Sequence, residues 1–446
     1  MAKATKLSAS DALDALERRA PANELERLSR FRSDQRGRKG KANTWEVISS
    51  ILLHPLLGAG TLGEHFESIH GEYLAESSLS ERRRNIPLDI FREVLRWLLK
   101  PLADQRKHPE SFYHGYRLVG LDGTGFSLRN TRSIIRRYDK AVSRRLKAAF
   151  ARTNVSVLVE LGTHSALGAE ISGNQESEWN LSCKVLEQLP ESSLLLGDRL
   201  YGVPKFVQLL APHCERTSSA FLLRARKDVK SRIVRKLKDG SSIVQIAIQR
   251  SERHKKEWST ELREIQATVQ RKGQRAFPLR LWTDLLDSKA HPASELAELY
   301  AKRWEHELYY RELKHGLHNG DLLNGQTVET SCQEIVALLL ATSVIAESRI
   351  EIAGEADISN VTVVGFEKAL FHTQFILVFK MADDNILTPK QQRAFAKSFR
   401  KILAPDKVPK KRSRSCPRAV RQPVKGWPRL TRKQNNYANV EIKIVG

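Results

Sequence analysis

The sequence lacks an apolar run that approaches membrane-spanning length; the stretch Ile51 to Leu57 is broken by His54 and Pro55. No apolar segment follows the lysines of Met1 to Ser8, so no secretory signal is expected. Cysteine is scarce. Cys183, Cys214, Cys332 and Cys416 stand without paired spacing, which argues against a disulfide framework or a zinc site and fits reduced thiols in a cytoplasmic protein. The Gly-x-x-x-x-Gly-Lys-Ser/Thr phosphate loop is missing too, so neither nucleotide hydrolysis nor a nucleotide cofactor is expected. Acid is short: 75 Lys and Arg face 51 Asp and Glu, giving a formal charge of +24 and a pI of about 10. With no membrane segment, that excess favours a nucleic-acid partner.

The 446 residues leave room for roughly two to four domains. Residues 1–110 read as a helical DNA-binding region. Helices are expected over Ser8 to Arg19, Asn23 to Phe31, Trp45 to Leu57 and Leu88 to Leu102, with a basic stretch from Arg32 to Lys41. The cluster Ser80, Arg82, Arg83 and Arg84 suits either a recognition helix in a DNA groove or the basic surface of a small bundle.

From Tyr116 the pattern changes. Tyr116 to Asp122 reads as a buried strand ending at an acid, followed by a turn at Gly123-Thr124-Gly125. Asn154 to Leu161 and Ala166 to Ile171 read as a hairpin. A helix over Ser177 to Leu189 precedes a second buried strand, Ser193 to Gly197, that ends at Asp198, and a further helix covers Pro204 to Leu210. In an α/β core this order sets the first and fourth strands side by side, with Asp122 and Asp198 at neighbouring strand ends.

The core is thus expected in two parts, residues 111–219 and 285–352. A basic β-rich insertion, 220–284, separates them, with turns at Asp239-Gly240 and Lys272-Gly273. Residues 353–446 hold helices over Phe366 to Met381 and Pro389 to Ile402, then a tail. From Lys407 to Lys433 that tail has eleven Lys or Arg, four prolines and no acid. Such composition suits an extended DNA contact.

Tyr300 to Lys314 contains no Gly or Pro and reads as one helix. At about 100° per residue, Tyr300, Arg303, Glu307 and Lys314 share an arc of roughly 60°, with Trp304 and Arg311 on the same face and Glu305 and Glu312 pointing away. A solvated face laced with ion pairs explains the pattern equally simply. Partner acids change the balance: Asp122, Asp198 and Glu307 form a hard-oxygen set suited to Mg2+, with Mn2+ as substitute. Two such ions about 4 Å apart serve phosphodiester chemistry.

These residues resemble the DDE transposases of the insertion-sequence-4 family. Their signature is Tyr, two residues, Arg, three residues, Glu, six residues, Lys, which Tyr300, Arg303, Glu307 and Lys314 match at every position. Asp122-Gly123-Thr124 and Asp198-Arg199-Leu200-Tyr201 are similar to the contexts of that family's two aspartates. The resemblance spans roughly residues 70 to 350.

It implies a ribonuclease-H-like catalytic core with a β-rich insertion, and cut-and-paste transposition through a hairpin intermediate. It implies double-stranded DNA partners, terminal inverted repeats and target, held in a homodimeric synaptic complex in a prokaryotic cell, nucleoid-associated. Tyr300, Arg303 and Lys314 are then expected to grip phosphates, with Arg311 and Arg199 beside them. Trp282 and Trp304 are candidate stacking partners for a flipped base, and both also suit a core. Two other readings fit the same residues: a nuclease that never joins DNA, and a decayed transposase that only binds ends.

Overall fold

A computed structural model of the chain describes residues 16–17, 19–31, 42–140, 148–248, 257–271, 276–320, 322–382, 388–404, 414–415, 435–436 and 440–444. Contacts divide it into two compact units. One comprises residues 1–195, 217–219 and 303–406; the other comprises 196–216, 220–302 and 407–446.

The first unit opens with helices α1 (Ala22–Arg30), α2 (Thr44–Leu53), α3 (Leu62–His70), α4 (Glu76–Asn85) and α5 (Leu88–Leu98). Two of them start at capping boxes. Asn43 accepts the Glu46 N–H while Glu46 takes the Asn43 N–H, and Thr61 and Glu64 repeat the exchange. In α5, Ile90, Phe91, Val94, Leu95 and Leu98 recur at helical spacing and are buried.

The arginine cluster of α4 divides: Ser80 and Arg84 are exposed, while Arg82 and Arg83 bond into the protein. Arg83 donates to Gln333 Oε1 at 2.9 Å and to the Thr330 carbonyl at 2.8 Å, and Arg82 donates to the Ala42 carbonyl. Most of the helix expected over Ser8 to Arg19, and the basic stretch after Phe31, lie outside the described residues.

The sheet of this unit follows. Its elements are β1 (Phe112–Tyr113), β2 (Tyr116–Ser127), α6 (Arg132–Arg137), β3 (Arg152–Glu160), β4 (Ser165–Ile171), α7 (Glu178–Val185) and the first residues of β5 (Ser193–Gly202). β2, β3 and β4 form an antiparallel meander, with β5 on the free side of β2. An antiparallel meander, a helix, and a fourth strand beside the first are the order of a ribonuclease-H-like core.

Two expectations fail in detail. Gly123-Thr124-Gly125 is strand and not turn, because these residues pair with Ser156, Val155 and Asn154 of β3. Asp198 likewise lies within β5 and not at its end. Ladder pairing carries both strands past the point where their apolar pattern stops.

The second unit contains the remainder of β5, then α8 (Pro204–Arg216), β6 (Ala220–Ala225), β7 (Ser231–Lys236), β8 (Ser242–Ile248), β9 (Glu257–Arg271), β10 (Phe277–Thr283) and α9 (Ala293–Leu299). Its strands run in the order β5-β6-β10-β9-β8-β7. The segment is β-rich, as its alternation suggests, and β6 and β10 continue outward from this unit's part of β5. Gly240, at φ 83°, makes the left-handed turn between β7 and β8.

The chain returns to the first unit through a 3-10 turn, Tyr300–Arg303, into α10 (Trp304–Arg311) and a π-helical segment, Glu312–Leu317. α11 (Val328–Glu355) is buried along most of its length and packs against α2, α5, α12 (Phe366–Ala382) and α13 (Pro389–Leu403). Of the basic tail only Arg414 and Ser415 are described up to Lys433. Among the described residues no helix is long and apolar enough to cross a membrane.

Candidate active site

The site is built by laying the α10 segment along β2. Gly120 makes the approach possible: a Cβ there would come within 2.6 Å of His306 Nδ1. One turn further on, the Tyr310 hydroxyl donates to the Asp122 carbonyl at 2.7 Å. After another turn, Lys314 Nζ donates to Thr124 Oγ1 and, at 3.1 Å, to the Gly125 carbonyl. Four helical residues advance about 6 Å, nearly matching the roughly 6.6 Å of two strand residues, so positions 306, 310 and 314 keep step with 120, 122 and 124.

Arg303 and Glu307 occupy the open side of this seam. The Arg303 guanidinium donates to Glu307 Oε1 at 2.6 Å and lies 3.6 Å from Asp122 Oδ2. Glu307 is 38% exposed and Asp122 20%, so the pair faces solvent. Two carboxylates thus converge on one cationic group, which relieves the repulsion they would otherwise share. Burial, then the charge of Arg152, pull the Lys314 pKa below its usual value. Burial, reinforced by the charges of Arg303 and His164, holds His306 neutral, its pKa brought down to about 3.

Asp198 belongs to the second unit. It is half-buried, and its Oδ1 accepts the Leu200 N–H at 2.7 Å. Tyr300, in the same unit, is buried and donates its hydroxyl to the Gly197 carbonyl at 3.1 Å, where it anchors the strand beside Asp198. Among the described residues no group of three His, Cys, Asp or Glu side chains is assembled that could hold a metal ion. Asp122, Arg303, Glu307 and Lys314 are gathered in one unit; Asp198 and Tyr300 are placed in the other.

Trp304 is 57% exposed, and Arg311 and Arg199 are exposed as well. Trp282 is different. It is fully buried with its indole N–H on Glu264 at 3.0 Å, so it offers no face to a base. The uniform helical wheel is also corrected, because the segment tightens to 3-10 before Trp304 and widens to π after Arg311. Glu305 and Glu312 do point away from the open side, but into the protein, onto His164 and Arg349. Neither partner carries a motif; only the seven-residue spacing of the two glutamates hints at a shared buried face.

A family model described as Transposase DDE domain matches residues 113–344. The chain is 23% identical over 373 residues to the transposase InsG for insertion sequence element IS4 of Escherichia coli (strain K12), covering 82% of this chain and 81% of that protein. It is 25% identical over 166 residues to the putative transposase InsZ of the same organism, which covers 36% of this chain and 53% of that protein. The cryo-EM structure of the piggyBac transposase synaptic complex with hairpin DNA aligns over 90% of this chain and 86% of that chain, with 7% identity and a TM-score of 0.43. The chain belongs to the DDE transposases of the insertion-sequence-4 family. It is therefore a DNA-cleaving enzyme of a kind that depends on divalent metal.

Proposed function

We propose that the protein carries out metal-dependent cut-and-paste transposition of an insertion sequence, with Asp122, Asp198 and Glu307 as the catalytic acids. The convergence of Asp122 and Glu307 on a single cationic group supports this reading, since carboxylates that share one cation suit a divalent ion as well. The donor set fits, since hard carboxylate oxygens suit Mg2+ or Mn2+. One or two such ions, when bound, polarise the phosphoryl oxygens and stabilise charge on the attacking and leaving oxygens.

The chain's own residues supply position and charge. Asp122 is fixed by the β2 ladder and by Tyr310 on its carbonyl, and Glu307 by the helix laid against Gly120. Arg303, once released from the carboxylates, and Lys314 are assigned to phosphate oxygens. Tyr300 acts from the second unit by holding β5 at Gly197.

In the proposed sequence water attacks phosphorus at the transposon end, breaks the P–O3′ bond and leaves a 3′-hydroxyl. That hydroxyl attacks the opposite strand, forming a hairpin and freeing the flanking DNA. A second water reopens the hairpin, and the restored 3′-hydroxyl attacks target DNA. Arg311, Arg199 and the exposed ring of Trp304 are assigned to DNA, and two copies of the chain to the two ends. The experiment places the gene with its native flanks on a plasmid and follows excision and reinsertion for wild type and Glu307→Gln. New joints from wild type alone support transposition; broken plasmid without joints would replace it with simple nuclease action.

A further inference from the structure

The side of the catalytic helix that faces away from Glu307 carries a closed ionic cluster. His164, in the turn between β3 and β4, sets Nε2 3.0 Å from Glu305 Oε2 and Nδ1 2.9 Å from Glu312 Oε2. Arg349 of α11 grips Glu312 in fork geometry, with its two terminal nitrogens 3.0 and 2.6 Å from the two oxygens. His164 and Arg349 are each 3% exposed.

A neutral imidazole has one donor and one acceptor nitrogen, whereas ionised carboxylates only accept. A carboxylate oxygen stands at each ring nitrogen of His164 and Arg349 Nη1 lies 3.3 Å from its Nδ1, so the cluster sets two basic groups against two acidic ones. Burial alone pushes this imidazole down, but the bonds to Glu305 and Glu312 outweigh it and the pKa is raised. Burial alone pushes Glu312 up; its bond to His164 and the charges of His164 and Arg349 reverse that, to about 2.

The cluster spans the segment that holds the reactive groups. Glu305 precedes Glu307, and Glu312 stands where the helix widens from α to π before Lys314. His164 itself sits at φ 60°, a left-handed conformation that an L side chain adopts reluctantly and that its surroundings must hold. One imidazole ring therefore fastens the helix at two points seven residues apart, and the central helix α11 fastens the second of them again.

We propose that His164, Glu305, Glu312 and Arg349 form a positioning device for the catalytic helix, fixing its rotation and its α-to-π change so that Glu307 meets the metal beside Asp122. None of the four touches substrate or metal; they act through the helix. The proposal rests on the reading of Glu307 as a metal ligand given above.

The test uses the full chain with Mn2+ as probe, comparing wild type, His164→Gln, Arg349→Lys and Glu307→Gln. Mn2+ affinity is read by electron paramagnetic resonance, folded fraction by thermal melting, and cleavage on the native-flank plasmid. His164→Gln and Arg349→Lys are expected to weaken Mn2+ binding by about tenfold, in the range typical of outer-shell partners. Cleavage should fall in step and recover at high Mn2+, while DNA affinity stays unchanged. If His164→Gln does not fold, Arg349→Lys, which keeps the charge but loses the fork, decides alone. Variants whose folded molecules bind Mn2+ and cleave as wild type does would overturn the positioning role while leaving the active site intact. Wild type and Glu307→Gln binding Mn2+ equally would overturn the metal-ligand reading and the proposal with it.

Discussion

Two arginine–glutamate pairs use neighbouring stretches of the same helix and behave differently. Arg303 and Glu307 form an i,i+4 pair at the open seam, with Glu307 38% exposed and a second carboxylate 3.6 Å from the same guanidinium. Arg349 and Glu312 form a fork that is 3% and 17% exposed and closed by His164. In water the first pair is worth little and can open for a phosphate or a metal ion. The second is costly to break, because removing one partner leaves a buried charge uncompensated. Exposure, rather than the identity of the residues, separates the open pair from the closed one.

The largest effect should come from the open side. Glu307→Gln is expected to abolish plasmid excision, a loss of about three orders of magnitude or more, since a metal's charge stabilisation is worth several kcal/mol. DNA binding by gel shift should be nearly unchanged. Excision that survives this change would erase the distinction between the two faces.

On the closed side, Glu312→Ala is expected to destabilise the chain by about 3–5 kcal/mol in urea unfolding, as broken buried pairs do. A value below about 1 kcal/mol would place the pair with surface bridges. pH sharpens the contrast. Glu312 has its pKa depressed from 4.5 to about 2, so its contribution is full above 4.5 and is lost as pH falls towards 2. His164 has its pKa raised, so its contribution is full below 6.5 and fades as pH rises through the folded value. Stability from this cluster should therefore peak between about pH 4.5 and 6.5, and Glu312→Gln should flatten the acid limb.

Asp284, in the second unit, is a half-buried carboxyl with no ion pair among the described residues. Burial raises its pKa to about 7, although it accepts the Phe221 N–H. A raised carboxyl favours folding most below 3.8 and loses that advantage as pH rises through about 7. Asp284→Asn should accordingly stabilise the protein more at pH 8 than at pH 4, read by thermal melting at both values.

The smallest effect concerns Lys314, which already donates to Thr124 and Gly125. Lys314→Ala should weaken DNA binding and lower the slope of log K against log salt by about one counterion. An unchanged slope would confine the lysine to holding β2 against the helix.

Much of this was legible in the residues. The hairpin of β3 and β4, the β-rich stretch after Ala220 and the helix around Glu307 follow from alternation and from helix-forming composition, which are local properties. The candidate acids were legible because chemistry restricts which side chains hold a hard cation. Strand lengths were not, because Gly123 to Ser127 join β2 only through pairing with β3. The inward turn of Arg83 onto Gln333 was hidden for the same reason, its partner lying far along the chain.

By itself the sequence determined the basic charge, the Tyr-Arg-Glu-Lys spacing and the order of strands and helices, since each is set by residue type or near-neighbour pattern. Only the tertiary structure decided which of Glu305, Glu307 and Glu312 face solvent and which meet His164 and Arg349. A helical wheel sorts charges onto faces but does not say which face meets water, and the elements that pack on the helix choose that.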